Sequence, residues 1–220
     1  MIIDFNAINN AKHIVITMDN SSFANASVMY SYILTLHKKV SLYSNEVLEN
    51  KLSFLPWYDK ARLKMPTSAD LEILMDTESL KLYKQFITFE IKLNVKMATS
   101  LYAGILEEFD NFQSPQCNGI VFASASELIA LKAEHKKCNQ YLFKSLPLSS
   151  LRLKAKLLSS LSLENNALHA KLYVSDLDLK STGSSLKEAF IIMKEALSLV
   201  NVERVTLYKS DENCKILKEI

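Results

Sequence analysis

Acidic residues crowd the end of an apolar stretch in Leu101-Tyr-Ala-Gly-Ile-Leu-Glu-Glu-Phe-Asp-Asn-Phe112. Gly104, inside it, is one of only three glycines among 220 residues. A mid-helix glycine costs about 1 kcal/mol relative to alanine. It is tolerated mainly where a neighbouring element packs too close for a Cβ, so Gly104 reads as structural. Other reactive residue types lack a working spacing. His13 opens an apolar run, His37 closes a helical stripe, His135 lies among Glu134, Lys136 and Lys137, and His169 alternates with Leu168 and Leu172. None pairs at i, i+4 or forms HExxH, the spacing that places two imidazoles on one metal. Cys117, Cys138 and Cys214 are widely spaced and form neither a CxxC nor a zinc knuckle, which predicts reduced thiols. No GxSxG elbow and no glycine-rich phosphate loop occurs.

The elements that would position a site follow from periodicity. His13-Ile-Val-Ile-Thr-Met18 reads as a buried strand, Asp19-Asn-Ser-Ser22 as a turn, and Met29, Tyr32, Ile33 and Leu36 as a helical stripe. Val40–Ser44 and Leu71–Met75 are further strands, the latter ending at Asp76. Strands alternating with helices imply a parallel sheet with helices on its faces. Ile87-Thr-Phe-Glu-Ile-Lys-Leu93 alternates strictly, predicting a strand or an extended connector. A helix follows from 96 to about 109, with Met97, Leu101, Ile105 and Phe109 on one side. Ser114–Gly119 breaks the pattern and marks a domain boundary. Helices are expected from 124 to about 144 and from 149 to about 161, the second capped by Ser149, with a turn at Asn165-Asn166. The last unit reads as a small β/α/β module: a strand over Leu168–Ser175, a helix capped by Ser184 or Ser185 with Leu186, Phe190, Met193 and Leu197 inward, and a hairpin across Asp211–Asn213.

Several of these stretches, taken in order, resemble the DHH phosphoesterases, the family of RecJ-like nucleases and nanoRNases. Residues 101–112 resemble the family's "Leu-Tyr-x-Gly-Ile-x-x-Asp-Thr-x-x-Phe" segment. Lys12–Thr17 is similar to its first strand, and Ala26-Ser27-Val-Met-Tyr-Ser-Tyr32 to the "Gly-Ser-Ala-Leu-Ala-Leu-Tyr" opening its first helix. Lys39-Val-Ser-Leu-Tyr43 and Phe54-Leu-Pro56 resemble the second strand and the loop after it. Asp70–Asp76 resembles the strand ending in the second-motif aspartate. Leu168–Leu179 with Thr182-Gly183, and Val202–Tyr208, are similar to the start of the DHH-associated domain.

The resemblance implies two divalent cations held by Asp and His side chains, generating hydroxide and neutralising phosphoryl charge. The first motif's His and two Asp have Met18-Asp-Asn-Ser-Ser-Phe-Ala-Asn25 in their place, where Asp19 is the only carboxylate. The Asp-His-His segment expected between Asp76 and Ile87 is absent, and Glu108 stands for the last aspartate. The "Arg-Ser" strand and "Gly-Gly-Gly-His" have no counterpart before Ile220. What remains is a residual acidic cluster of Asp19, Asp76 and Glu108, a weak oxygen-ligand set for Mg²⁺, Ca²⁺ or Mn²⁺. No catalytic residue and no metal ligand is assigned.

The expected fold is α/β: a DHH-type parallel sheet flanked by helices over 1–115, a helical connector over 116–165 and a truncated small α/β C-terminal domain over 166–220. The expected function is a bacterial-type pseudoenzyme that binds a protein partner or itself, through Pro56-Trp57-Tyr58 or an unpaired final strand. The alternatives are a divergent phosphoesterase on small nucleotides or short oligonucleotides, and a non-cleaving nucleotide sensor. No cofactor is expected, with Mn²⁺ or Mg²⁺ entering only under the phosphoesterase alternative. A net charge of +2, from 26 basic and 24 acidic residues, disfavours nucleic acid as a partner. Lys144, Arg152, Lys154 and Lys156 then read as a solvated helix face. No run approaches the roughly 20 apolar residues of a membrane span. The N-terminus lacks a signal-peptide pattern, so the expected location is the cytoplasm.

Overall fold

The structure, a computed structural model, describes residues 3–144, 146–211 and 214–220. Two compact units divide at 145/146. In the first, α1 (Phe5–Asn10) precedes β1 (His13–Met18), α2 (Phe23–Thr35), β2 (Lys39–Ser44), β3 (Ala61–Arg62) and β4 (Leu71–Leu74). The strands are all parallel in the order β3-β2-β1-β4, so β1 and β4, far apart in sequence, lie side by side. Ile14, Ile16, Leu42 and Ile73 join the core that α1 and α2 build with α3 (Ser79–Thr88), α4 (Val95–Glu108), α5 (Gly119–Ala130) and α6 (His135–Asn139).

The helix α3 replaces what alternation over 87–93 predicted as a strand or connector. Its buried residues Ser79, Leu82, Tyr83 and Phe86 recur at helical spacing, and the chain turns out of it at Glu90 (φ 54°), where Ile91 N–H closes onto Phe86 C=O at 2.9 Å. Ile87 and Phe89, read as strand residues facing inward, are more than half exposed. Only residues 91–94 run as a connector into α4. The helix expected from 124 to 144 begins instead at Gly119, capped by Asn118. It breaks near Lys132 (φ 67°), then resumes as α6 and a π-type turn over Gln140–Lys144.

In the second unit α7 (Leu148–Ser159) leads to β5 (Ser162–Glu164), β6 (His169–Val174), α8 (Asp176–Thr182), α9 (Leu186–Ile192), β7 (Arg204–Lys209) and β8 (Lys215–Glu219). The sheet order is β5-β6-β7-β8, with β6 and β7 parallel and both outer pairs antiparallel. The β/α/β module and the terminal strand pair are therefore present, while residues 212 and 213 of the expected turn lie outside the described residues. Ser185 caps α9 in a capping box with Glu188. Of the expected stripe, Met193 is buried and Leu186 and Phe190 pack half-buried against this core beside Ala189, Ile192 and Ala196, while Leu197, within the 3-10 turn over Met193–Ser198, is exposed.

The expected 116–165 connector is not a separate body. Val121, Ala125, Leu128 and Cys138 belong to the first core, and Leu153 and Leu157 of α7 to the second. Pro147, not Ser149, occupies the α7 cap position. Of the basic cluster, Lys154 pairs with Glu195 at 2.5 Å and Lys156 with Asp178 at 2.6 Å. No described helix is long and apolar enough to cross a membrane.

Candidate functional site

The loops leaving β1 and β4 lie at the same end of the sheet, because the two strands are parallel and adjacent. With the first turns of α2 and α3 and the last turn of α4 they enclose a cleft of about 440 Å³. Open parallel sheets bind ligands at this edge. The structure brings Asp76 and Glu108 to this cleft. Asp19 sits at its margin, engaged by its own turn: Oδ1 accepts from Ser21 Oγ at 2.8 Å, Ser22 Oγ at 2.7 Å and Ser22 N–H at 2.9 Å. Burial pushes the Asp19 carboxyl up, but the hydroxyls and backbone amides of Ser22 and Ser21 outweigh it and hold the group below the ordinary aspartate range.

The cleft also holds residues that periodicity did not single out. Glu107 pairs with Lys51 at 3.2 Å, and Lys51 also with Glu49 at 3.3 Å. Glu78 pairs with Lys81 at 2.9 Å. Asn25, 5% exposed, donates Nδ2–H to Thr77 C=O at 2.6 Å and accepts Ser79 Oγ–H at 2.9 Å on Oδ1. The signal for Asn25 was its place just before Ala26-Ser27, where the family resemblance puts metal ligands. For Glu107 it was its place beside Glu108. Nothing local pointed to Lys51 or Ser79.

Glu108 Oε2 accepts from Leu80 N–H at 3.2 Å, satisfying one of the free amides of the first turn of α3 from another helix. Burial raises the Glu108 carboxyl, and the Leu80 and Ser79 amides only partly offset it. Burial likewise raises Glu107 against the pull of Lys51. A carboxyl whose folded value is raised binds more protons folded than unfolded, so its contribution declines as pH climbs from the ordinary glutamate value of 4.5 through the folded one. Glu108→Gln keeps an acceptor for Leu80 and removes the charge. In urea melts from pH 4 to pH 7 its stability relative to the parent should increase with pH. Parallel pH curves for the two proteins would refute the assignment.

None of the four histidines lines the cleft. His13 lies at the opposite end of β1, its Nε2 3.0 Å from Ser41 Oγ, and His169 Nε2 is 2.8 Å from Thr206 Oγ1. Among the described residues no three His, Cys, Asp or Glu side chains come together as a set that could hold a metal ion. The donors present therefore do not fit the pair of cations that such a fold implies.

The other expected surfaces are engaged internally. Trp57, in a left-handed conformation (φ 69°), donates its indole N–H to Ser31 Oγ at 2.7 Å and lies under Lys96, whose Nζ is 4.1 Å from the ring centroid. Pro56 C=O accepts Ser27 Oγ–H at 2.8 Å, and Tyr58 donates its hydroxyl to Leu48 C=O at 3.0 Å. All three residues are half-buried. The segment folds onto α2 instead of standing free. The edge strand β8 is blunted by a register slip opposite Leu207/Tyr208 and by Lys218, whose Nζ sits 5.1 Å over the Phe190 ring.

No protein-family profile matches the sequence, and no curated protein matches it. Solved structures do. The chain superposes on an exopolyphosphatase-related protein from Bacteroides fragilis with a TM-score of 0.76 at 12% identity, over 96% of this chain and 79% of that one. A putative family II inorganic pyrophosphatase from Methanococcus jannaschii, also 12% identical, reaches a TM-score of 0.35 over 90% of this chain and 83% of its own, too loose to bear on the fold. At such identity the likeness concerns architecture: this is a DHH-type α/β fold.

Proposed function

We propose that this protein uses a DHH-type fold for binding rather than for phosphoryl hydrolysis, and that its partner is a protein. The observation that carries this is how the cleft spends its carboxylates. Asp19 is held by two serines, Glu108 caps α3, and Glu107 is tied to Lys51. Asn25 presents an amide to the Thr77 carbonyl just before Ala26-Ser27. Two-metal hydrolysis needs carboxylates and imidazoles that share cations roughly 4 Å apart. These side chains are instead committed to helix ends and to one another. The carboxylates Glu49, Asp76, Glu78, Glu107 and Glu108 line the cleft, and Lys51 is the one lysine among the described residues of its lining, with Lys81 beside it paired to Glu78. A phosphate would meet like charge there. A cationic side chain of a protein partner would not.

Release of mononucleotide from short oligonucleotides, and of phosphate from phosphoadenosine phosphate, should stay at the buffer rate with Mn²⁺ present. Turnover abolished by Asp76→Ala would overturn the reading in favour of a divergent phosphoesterase. Thermal stabilisation by nucleotide without turnover would overturn it in favour of a nucleotide sensor.

A further inference from the structure

A hollow of about 390 Å³ lies away from the cleft. Helices α2 and α3 both begin at the cleft, and this hollow forms where they end: Tyr32 sits in the last turn of α2 and Phe89 directly follows α3. Among the described residues none lines both spaces. The floor is aromatic. Phe5 meets Tyr32 and Phe86 edge-on, at 5.6 Å and 5.8 Å between centroids, and Tyr32 meets Phe86 at 5.4 Å, so the three rings lock one another. Phe89 leans on Phe5 at 4.7 Å and is 55% exposed. Helix α1 adds Asn6 and Asn9, three residues apart and so on one face, and neither carboxamide bonds to a described residue. Tyr32 is 7% exposed, yet its hydroxyl bonds to no described residue and is not sealed in. A buried phenol ordinarily has a partner. Burial pushes the Tyr32 phenol above its ordinary range, so it stays an O–H that can donate and accept.

We propose that this hollow binds a neutral planar nitrogen heterocycle of the purine type, as free base or nucleoside, with a ring face on Phe89 and the ring edge on Tyr32, Asn6 and Asn9. Size is the first ground. The volume falls within the roughly 300–1,000 Å³ of small-molecule sites, which are mostly apolar with a few placed polar groups. Chemistry is the second. Each carboxamide offers donors and an acceptor, the phenol offers both, and an adenine edge carries both kinds side by side. An indole brings a single donor and a phenyl ring none, so an aromatic side chain would leave most of these groups to water. Charge is the third. The one charged side chain among the described residues of the lining is Asp4, whose Oδ1 accepts from Asn6 N–H at 2.9 Å and Ala7 N–H at 3.0 Å. It would repel a phosphate, so a base or nucleoside fits better than a nucleotide. The proposal is independent of what the cleft binds.

Calorimetric titration with adenosine should show saturable binding with a Kd below about 1 mM, and adenosine monophosphate should bind more weakly. Tyr32→Phe keeps the ring floor and deletes the hydroxyl, and should weaken adenosine about tenfold. Phe89→Leu keeps an apolar side chain against Phe5 and deletes the flat ring, and should also weaken it about tenfold. Thermal melts should show both variants folded. Asp76→Ala, in the cleft, should leave adenosine binding unchanged, and that pattern does not bear on the activity assays above. Binding that persists in Tyr32→Phe and is lost in Asp76→Ala would put the ligand in the cleft and overturn the proposal. So would the absence of saturable binding by adenine and adenosine alike. Tighter binding of N-acetyltryptophanamide than of adenosine would overturn it in favour of an aromatic side chain of a protein.

Discussion

Gly104→Leu should lower the stability of the first unit by about 3 kcal/mol, the upper end of the usual overpacking range. A Cβ built at Gly104 would overlap Ser79 Oγ outright, stand 3.0 Å from Ser79 Cβ and 3.4 Å from Ala24 Cβ. The crossing of α4 over the starts of α2 and α3 therefore leaves no room for a side chain. Ser79 cannot swing away freely, because its hydroxyl is bonded to the buried Asn25 amide oxygen at 2.9 Å. Gly104→Ala is the sharper probe. Alanine gains about 1 kcal/mol of helix propensity, against about 1–3 kcal/mol for overpacking. Its effect should thus be small or unfavourable in the parent and more favourable in a Ser79→Ala background. A coupling of about 1 kcal/mol is expected between two residues in direct contact. Thermal or urea melts decide it: a Gly104→Leu protein that melts with the parent would mean that α4 does not cross α3 here.

The second large effect separates two readings of one segment. If residues 79–88 form a helix, Phe86 is a core residue and Ile87 a surface one. If 87–93 were a strand, Ile87 would be buried instead. Phe86 is 0% exposed and meets Phe5 and Tyr32 edge-on, at 5.8 Å and 5.4 Å between centroids. Phe86→Ala should cost about 3–5 kcal/mol through lost burial and a residual cavity. Ile87 is 53% exposed, and Ile87→Ala should fall within about 0.5 kcal/mol of the parent, as surface changes do. Equal losses at both positions would restore the strand. The outcome bears on function as well, because α3 occupies the segment where the resemblance to DHH phosphoesterases expects metal-binding residues, and it carries Lys81 and Lys84 but no Asp or His.

Much of the frame was legible in residue order. β1, β2 and β4 announce themselves as short apolar or alternating runs, and α2 and α4 as stripes at helical spacing. These signals are local, and burial on one side of an element writes them directly into sequence. Gly104 was legible for a related reason: a residue that weakens a helix persists where contact forbids a larger one. The start of α9 was legible to within one residue, as Ser184 or Ser185, and the capping box with Glu188 selects Ser185.

What stayed hidden depends on contacts between distant residues. The first turn of α3 is capped by Glu108, 28 residues away, so no local start signal marks it. The alternation over 87–93 is real as a pattern, but Leu82, Tyr83 and Phe86 gain more burial in a helix than Ile87 and Phe89 would in a strand lacking a partner. Whether α5 and α7 formed one connector or joined two cores was likewise undecided locally, since each carries an apolar stripe that either arrangement could bury. By itself the sequence determined the order of strands and helices and which residue types stand at their ends, an order that resembles the DHH phosphoesterases. Only the tertiary structure decided how the remaining carboxylates are used. A carboxylate has the same chemistry in a metal site, an ion pair or a helix cap, and geometry alone assigns Asp19, Glu107 and Glu108 to serine hydroxyls, to Lys51 and to α3.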